Sequence, residues 1–207
     1  MPSASSIAFI VAAGVAMLWW IPQCRRVLQA GDAGVSAVTW ASYAASGSIW
    51  VVWAAVSAQW GIVAVNTIEA LGVLSVVALL RAWRQLVILG VFIGSAFAIA
   101  AAVSPTAVAI AGLFVTTGCR VPQIVAAVRE PQITGVSWRS WMISAIGNGA
   151  WVVWAFIEGV WWFFATTIAA VTMSIVVALI VSIRQRAMSV QEPIRGVGAT
   201  SGYGPNT

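Results

Sequence analysis

Four side chains are polar or amphipathic yet sit in the middle of apolar runs: Trp50, Asn66, Glu69 and Trp151. An indole has a broad apolar face with one N–H donor at its rim, so it can serve as a stacking platform for a ligand as well as pack in a core. Asn66 offers both a donor and an acceptor. Glu69 lies one helical turn further on. A charged acid at bilayer mid-depth costs about 2.5–3.5 kcal/mol, which makes Glu69 a candidate proton or cation site. The plainer readings are a core-packing Trp and a neutral Glu bonded to a neighbouring helix. Enzymatic chemistry is not expected: the chain has no His, its two cysteines are far apart, and it has no phosphate loop or usefully spaced carboxylate pair. Neither a metal nor a cofactor is expected.

The elements that hold these residues follow from composition. Of 207 residues, 61% are hydrophobic and 7% charged, with a mean hydropathy of +0.98. Charged residues make up about a quarter of a soluble domain. Crossing roughly 30 Å of hydrocarbon takes about 20 apolar residues in a helix. Seven such segments are predicted, at 5–24, 36–57, 60–81, 85–103, 105–124, 137–158 and 160–182. They are twice the length of a barrel strand and lack its alternation, so the expected fold class is an all-α membrane protein with seven transmembrane helices. The first segment has no basic leader before it and is expected to stay as a helix. The Gly/Ser/Pro-rich stretch 184–207 predicts a disordered cytoplasmic tail.

All ten basic residues are arginine, set against five acids. Arg25 and Arg26 follow the first segment, Arg81 and Arg84 the third, Arg120, Arg129 and Arg139 surround the fifth-to-sixth connection, and Arg184, Arg186 and Arg195 follow the seventh. All ten thus fall on one face, which the positive-inside rule makes cytoplasmic, with the N-terminus outside and the C-terminus inside. They form no basic aromatic stripe, so lipid headgroups rather than nucleic acid are the expected partner. Trp19, Trp20, Trp60, Trp83, Trp138, Trp161 and Trp162 fall near segment ends, where indoles suit the membrane interface. Cys24 and Cys119 are expected to be free thiols. The absence of lysine and the abundance of Ala, Val and Gly suggest a GC-rich bacterial genome, and hence a bacterial inner membrane.

The chain also repeats itself. Pro22-Gln23 recurs as Pro122-Gln123 at an offset of 100. At an offset of 101, Gly34-Val35-Ser36 recurs as Gly135-Val136-Ser137, Trp40 as Trp141, and Trp50-Val51-Val52-Trp53 as Trp151-Val152-Val153-Trp154. Each copy holds three segments, at 5–82 and 105–183, and the unrepeated segment 85–103 restores chain direction between them. Both copies therefore enter the membrane with the same polarity. Two parallel three-helix bundles joined by a linker helix should enclose a cavity at mid-depth. Pro22 and Pro122 lack an amide proton and can each kink or end a helix. Gln23 and Gln123 could satisfy carbonyls freed by such a kink.

The duplicated Pro-Gln pair, the Gly-Val-Ser that opens the second helix of each copy, the mid-helix Trp and Asn66 sixteen residues after Trp50 together resemble the PQ-loop superfamily. The 3+1+3 plan is similar to SWEET transporters and their half-size SemiSWEET relatives, over about residues 5–183. That resemblance implies a sugar pocket of Trp50, Asn66, Trp151 and Thr167, with Thr167 departing from the family's second Asn. It also implies a small polar pocket position at Ser46, whose counterpart is Gly147. The prolines become hinges of a cytoplasmic gate, and Trp53 and Trp154 become aromatics of an outer gate that lacks a charged latch.

The expected function is a membrane carrier moving a small neutral solute, a mono- or disaccharide, by alternating access without energy coupling. One alternative is a proton-coupled carrier of an amino acid or cation using Glu69, similar to the cystinosin side of the superfamily. Another class is a receptor or sorting protein on the same scaffold, as the KDEL receptors are, which the short loops disfavour. The expected partners are a small-molecule substrate and membrane lipid, with a homo-oligomer left open.

Overall fold

The computed structural model describes residues 3–198. Helix is the only regular structure among them. In chain order the helices are α1 (Ala4–Ala16), α2 (Ile21–Ala30), α3 (Ala37–Val56), α4 (Trp60–Leu79), α5 (Trp83–Val103), α6 (Pro105–Gly118), α7 (Val121–Arg129), α8 (Trp138–Glu158) and α9 (Trp161–Gly198). Six stretches are long and apolar enough to cross a membrane: Ala4–Ala30, Trp60–Leu79, Trp83–Val103, Thr106–Arg129, Trp138–Glu158 and Trp161–Val190. The 20-residue α3 has the length too, but Thr39, Ser42, Tyr43, Ser46 and Ser48 lower its hydropathy. The described residues are all-helical, with helices whose length and composition are consistent with an integral membrane protein.

Proline sets where the first helix of each copy breaks. Pro22 cannot donate to the Leu18 carbonyl, which instead accepts from Ile21 N at 3.1 Å. The chain turns through residues 17–20 and resumes as α2, with Pro22 in its first turn. The second copy repeats this at Cys119 and Arg120, before Pro122 in the first turn of α7. Both prolines therefore bend a helix rather than end it. Each broken helix also runs past its predicted end, to Ala30 and Arg129.

The two copies exchange contacts. Gln23 Nε2 donates to the Gly135 carbonyl at 2.8 Å, and its Oε1 accepts from Ser137 N at 2.9 Å. Reciprocally, Gln123 Nε2 donates to the Gly34 carbonyl and its Oε1 accepts from Ser36 N, both at 2.9 Å. This corrects the expectation that each glutamine serves its own kinked helix. Equivalent residues swap partners, as across a two-fold axis. Ser5 meets Glu158, Phe9 meets Trp154 and Gln23 meets Ser137, so α1–α2 runs antiparallel to α8. It also runs antiparallel to α3, which follows it through a short turn. Thus α3 and α8, equivalent helices, point the same way.

Glycine permits this junction. Gly34 has φ +77, and a Cβ there would stand 2.8 Å from the Gln132 carbonyl oxygen and from Ile133. A Cβ on Gly135 would overlap the Gly31 carbonyl and the backbone at Asp32. Just beyond each glycine, a serine side chain caps the next helix: Ser36 Oγ accepts from Thr39 N and Ser137 Oγ from Ser140 N. The copies differ at the opposite turn, where Gly159 has φ +69 and its counterpart Ala58 carries φ +54. A left-handed Ala is strained by about 1–2 kcal/mol, so Ala58→Gly should raise stability by roughly 0.5–1 kcal/mol after glycine's entropic cost. A thermal melt in detergent checks this.

The C-terminal expectation is corrected in part. Helix α9 continues through residues 184–198, which were expected to be disordered; residues 199–207 lie outside the described residues. The reason lies in two side chains. Arg184 Nη1 donates to the Ala127 carbonyl at 2.6 Å, and Gln185 Nε2 donates to those of Ile133 at 2.9 Å and Val136 at 2.8 Å. They dock the start of the extension onto the end of α7 and the α7–α8 loop.

Candidate functional site

A cavity of about 90 Å³ lies between the copies. Trp50, Asn66, Trp151, Thr167, Ser46 and Glu69 all line it, so the sequence-predicted substrate and ion residues converge on one space. Both indoles are buried, each 8% exposed. Trp50 Nε1 donates to Thr116 Oγ1 at 3.0 Å, and Ser46 Oγ lies 3.3 Å from the same hydroxyl. At an offset of 100 the counterpart of Thr116 is Ala16, so Trp151 Nε1 has no protein acceptor among the described residues.

Asn66 Nδ2 donates one hydrogen to the Ile62 carbonyl of its own helix at 2.9 Å. Its Oδ1 and second hydrogen remain available. Thr167 Oγ1 donates back to Phe163 and Phe164 carbonyls at 2.9 and 3.0 Å, so it faces the cavity as an acceptor. Asn148, missed from sequence, lines the same cavity and donates to the Ser144 carbonyl at 2.7 Å. An Asn in the middle of a membrane-length helix was the available signal.

Aromatic layers close the cavity at both ends. Toward the arginine-poor end, Phe163 stands edge-on to both pocket indoles, at 5.6 Å from Trp50 and 5.8 Å from Trp151. Behind them, Trp53 packs on Trp50 at 5.9 Å and Trp154 on Trp151 at 5.5 Å. Trp53 and Trp154 do not line the cavity; they back the residues that do. Trp162 stacks flat on Trp50, with 5.7 Å between centroids and 6° between planes. On the rim beyond, Ser5 donates a hydrogen bond to Glu158.

Toward the arginine-rich end, Trp19 stacks on Trp40 at 5.0 Å, with Tyr43 and Trp141 beside them. Pro22, Gln23, Pro122 and Gln123 lie beyond this floor, outside the cavity. Trp19 is 2% exposed and donates from Nε1 to Glu69 Oε1 at 2.7 Å. The membrane-interface expectation for Trp19 is therefore corrected, while Trp162 is half-buried. Trp60, Trp83, Trp138 and Trp161 are exposed, as interfacial indoles would be.

Arg120 departs furthest from expectation. It is only 2% exposed and lines the cavity instead of reaching a headgroup. Nε donates to Ser174 Oγ at 3.3 Å, Nη1 to the Thr116 carbonyl, and the guanidinium lies 5.0 Å from the Tyr43 ring centroid. Cys24 and Cys119 are both free.

Fold and site together define the class: among the described residues, an all-helical protein with membrane-length apolar helices around a cavity lined by aromatic and polar side chains of both copies. No protein-family model, curated protein or solved structure matches the chain.

Proposed function

We propose that the protein is a seven-helix, two-repeat membrane carrier for a small neutral solute, working by alternating access without energy coupling. One observation carries this reading: equivalent and near-equivalent residues of both copies face one cavity that lies between separate aromatic layers. In this reading the arginine-rich end is cytoplasmic, the N-terminus is outside and the membrane is a bacterial inner membrane. The resemblance to SWEET transporters makes a mono- or disaccharide the first solute to test, held on Trp50 and Trp151 by Asn66, Ser46 and Thr167. The closed cavity is far below the roughly 300–1,000 Å³ that drug-sized ligands occupy, so a saccharide enters only after one layer parts.

Opening toward the cytoplasm bends the chain at Pro22 and Pro122 and breaks the four glutamine bonds. Water replaces them, so the net cost is modest. Opening outward separates Phe163, Trp53 and Trp154. In proteoliposomes offered a panel of sugars and amino acids at two pH values, a transported solute should appear. Asn66→Ala should slow its uptake about tenfold, the worth of a lost buried hydrogen bond. No uptake of any solute would reject the carrier.

Glu69 favours a second reading, because its carboxylate borders the same cavity. If a proton or cation moves with the solute, uptake will require a pH or cation gradient and Glu69→Gln will remove that requirement. Uptake unchanged in rate and pH dependence would exclude Glu69 from the mechanism.

A further inference from the structure

Two opposite charges face the cavity, one from each copy. Glu69 of the first copy uses Oε1 to accept from Trp19, and Oε2 has no protein donor among the described residues. Arg120 of the second copy uses Nε and Nη1, and Nη2 has no protein acceptor among the described residues. The two side chains make no direct hydrogen bond to each other. A charge in a dry interior is costly unless a partner completes it. Here the hydrogen bonds to each charge come from neutral groups, the other charge acts only through space, and each keeps one atom without a protein partner among the described residues.

From this geometry we infer that the cavity takes a small zwitterion carrying a carboxylate and an ammonium, as an α-amino acid does. The carboxylate docks on Arg120 Nη2 and the ammonium on Glu69 Oε2. The inference rests on the carrier reading and replaces the saccharide with a solute that is neutral only in sum. A pure cation would satisfy Glu69 but meet repulsion from Arg120, and a pure anion the reverse. A saccharide would leave Arg120 Nη2 and Glu69 Oε2 without a charged hydrogen-bond partner, each charge offset only by the other. The free Asn66 amide and Trp151 N–H supply neutral hydrogen bonds around the charged ends.

The experiment is counterflow in proteoliposomes of the full chain, with labelled alanine and, in a parallel series, labelled glucose as the solute, and unlabelled alanine, ethylamine, propionate and glucose as competitors. Ethylamine and propionate each lack one charge of alanine. Wild type should prefer alanine over either by about 10- to 100-fold, the worth of a charge-assisted hydrogen bond. Arg120→Gln should collapse the preference for alanine over ethylamine toward unity, and Arg120→Lys should keep part of it. Glu69→Gln should do the same for alanine over propionate. These ratios do not depend on how much protein folds, and the wild-type series needs no variant. Glucose uptake without competition from alanine would overturn the zwitterion and leave the carrier standing. Equal competition by alanine, ethylamine and propionate would overturn it too. No uptake of any labelled solute, sugars included, would overturn both.

Discussion

Gly135→Ala is expected to destabilise the protein by about 3 kcal/mol or more, although it adds one methyl group. The new Cβ would enter the backbone of the opposite copy at Gly31 and Asp32, and a main chain cannot rotate aside as a side-chain tip can. The Gly135 amide also donates to the Ala33 carbonyl at 3.0 Å, and its own carbonyl accepts from Gln23, so displacement breaks two bonds as well. Gly34→Ala adds a left-handed backbone to a similar overlap, with a cost of roughly 2–5 kcal/mol. The same exchange at Gly14 or Gly90 meets open space within a helix, where Ala is favoured by up to about 1 kcal/mol. Melting of the four variants in one detergent checks the contrast. If Gly135→Ala melts with Gly90→Ala, the junction between the copies is not built as described.

These glycines also show how far the sequence could be read. Their recurrence before a serine placed the loops, and the spacing of polar residues within apolar runs placed Trp50, Asn66, Glu69 and Trp151 on helices that converge. An offset identifies which residues are equivalent. It does not say which copy a side chain reaches, so Gln23 and Gln123 were assigned to their own helices. The first and fifth segments were ended at residues 24 and 124, where the arginines begin, and that boundary displaced two residues. Because α7 continues to Arg129, Arg120 stands inside the bundle; because α2 continues to Ala30, Trp19 does too. Positive-inside counting locates a charge along the chain, not around a helix axis. Asn148 escaped for a related reason: polar positions in the two copies alternate, Ser46 beside Gly47 against Gly147 beside Asn148, and equivalence alone looks for like against like.

Replacing Gln23 and Gln123 together by leucine is expected to open the arginine-rich end while leaving the opposite aromatic layer shut. Leucine has nearly the same bulk but cannot bond, so Ser36 N, Ser137 N and the carbonyls of Gly34 and Gly135 lose partners in a buried junction. Each unsatisfied group costs about 1–3 kcal/mol while it stays buried and little once water reaches it. The penalty thus falls on the closed state and shifts the equilibrium toward an open one. A native reporter lies within: Cys119 is 4% exposed, next to Arg120 and packed in the cluster with Trp19, Trp40 and Trp141. With Cys24→Ser as background, a membrane-impermeant methanethiosulfonate reagent added from the arginine-rich side should modify Cys119 at least about tenfold faster in the double variant than in its parent, a shift of about 1.4 kcal/mol. Added from the other side it should not, because Trp53, Trp154 and Phe163 still bar the way. Equal labelling from both sides would mean the bundle has come apart, and no acceleration from either would mean that the glutamines brace the loops without gating the cavity.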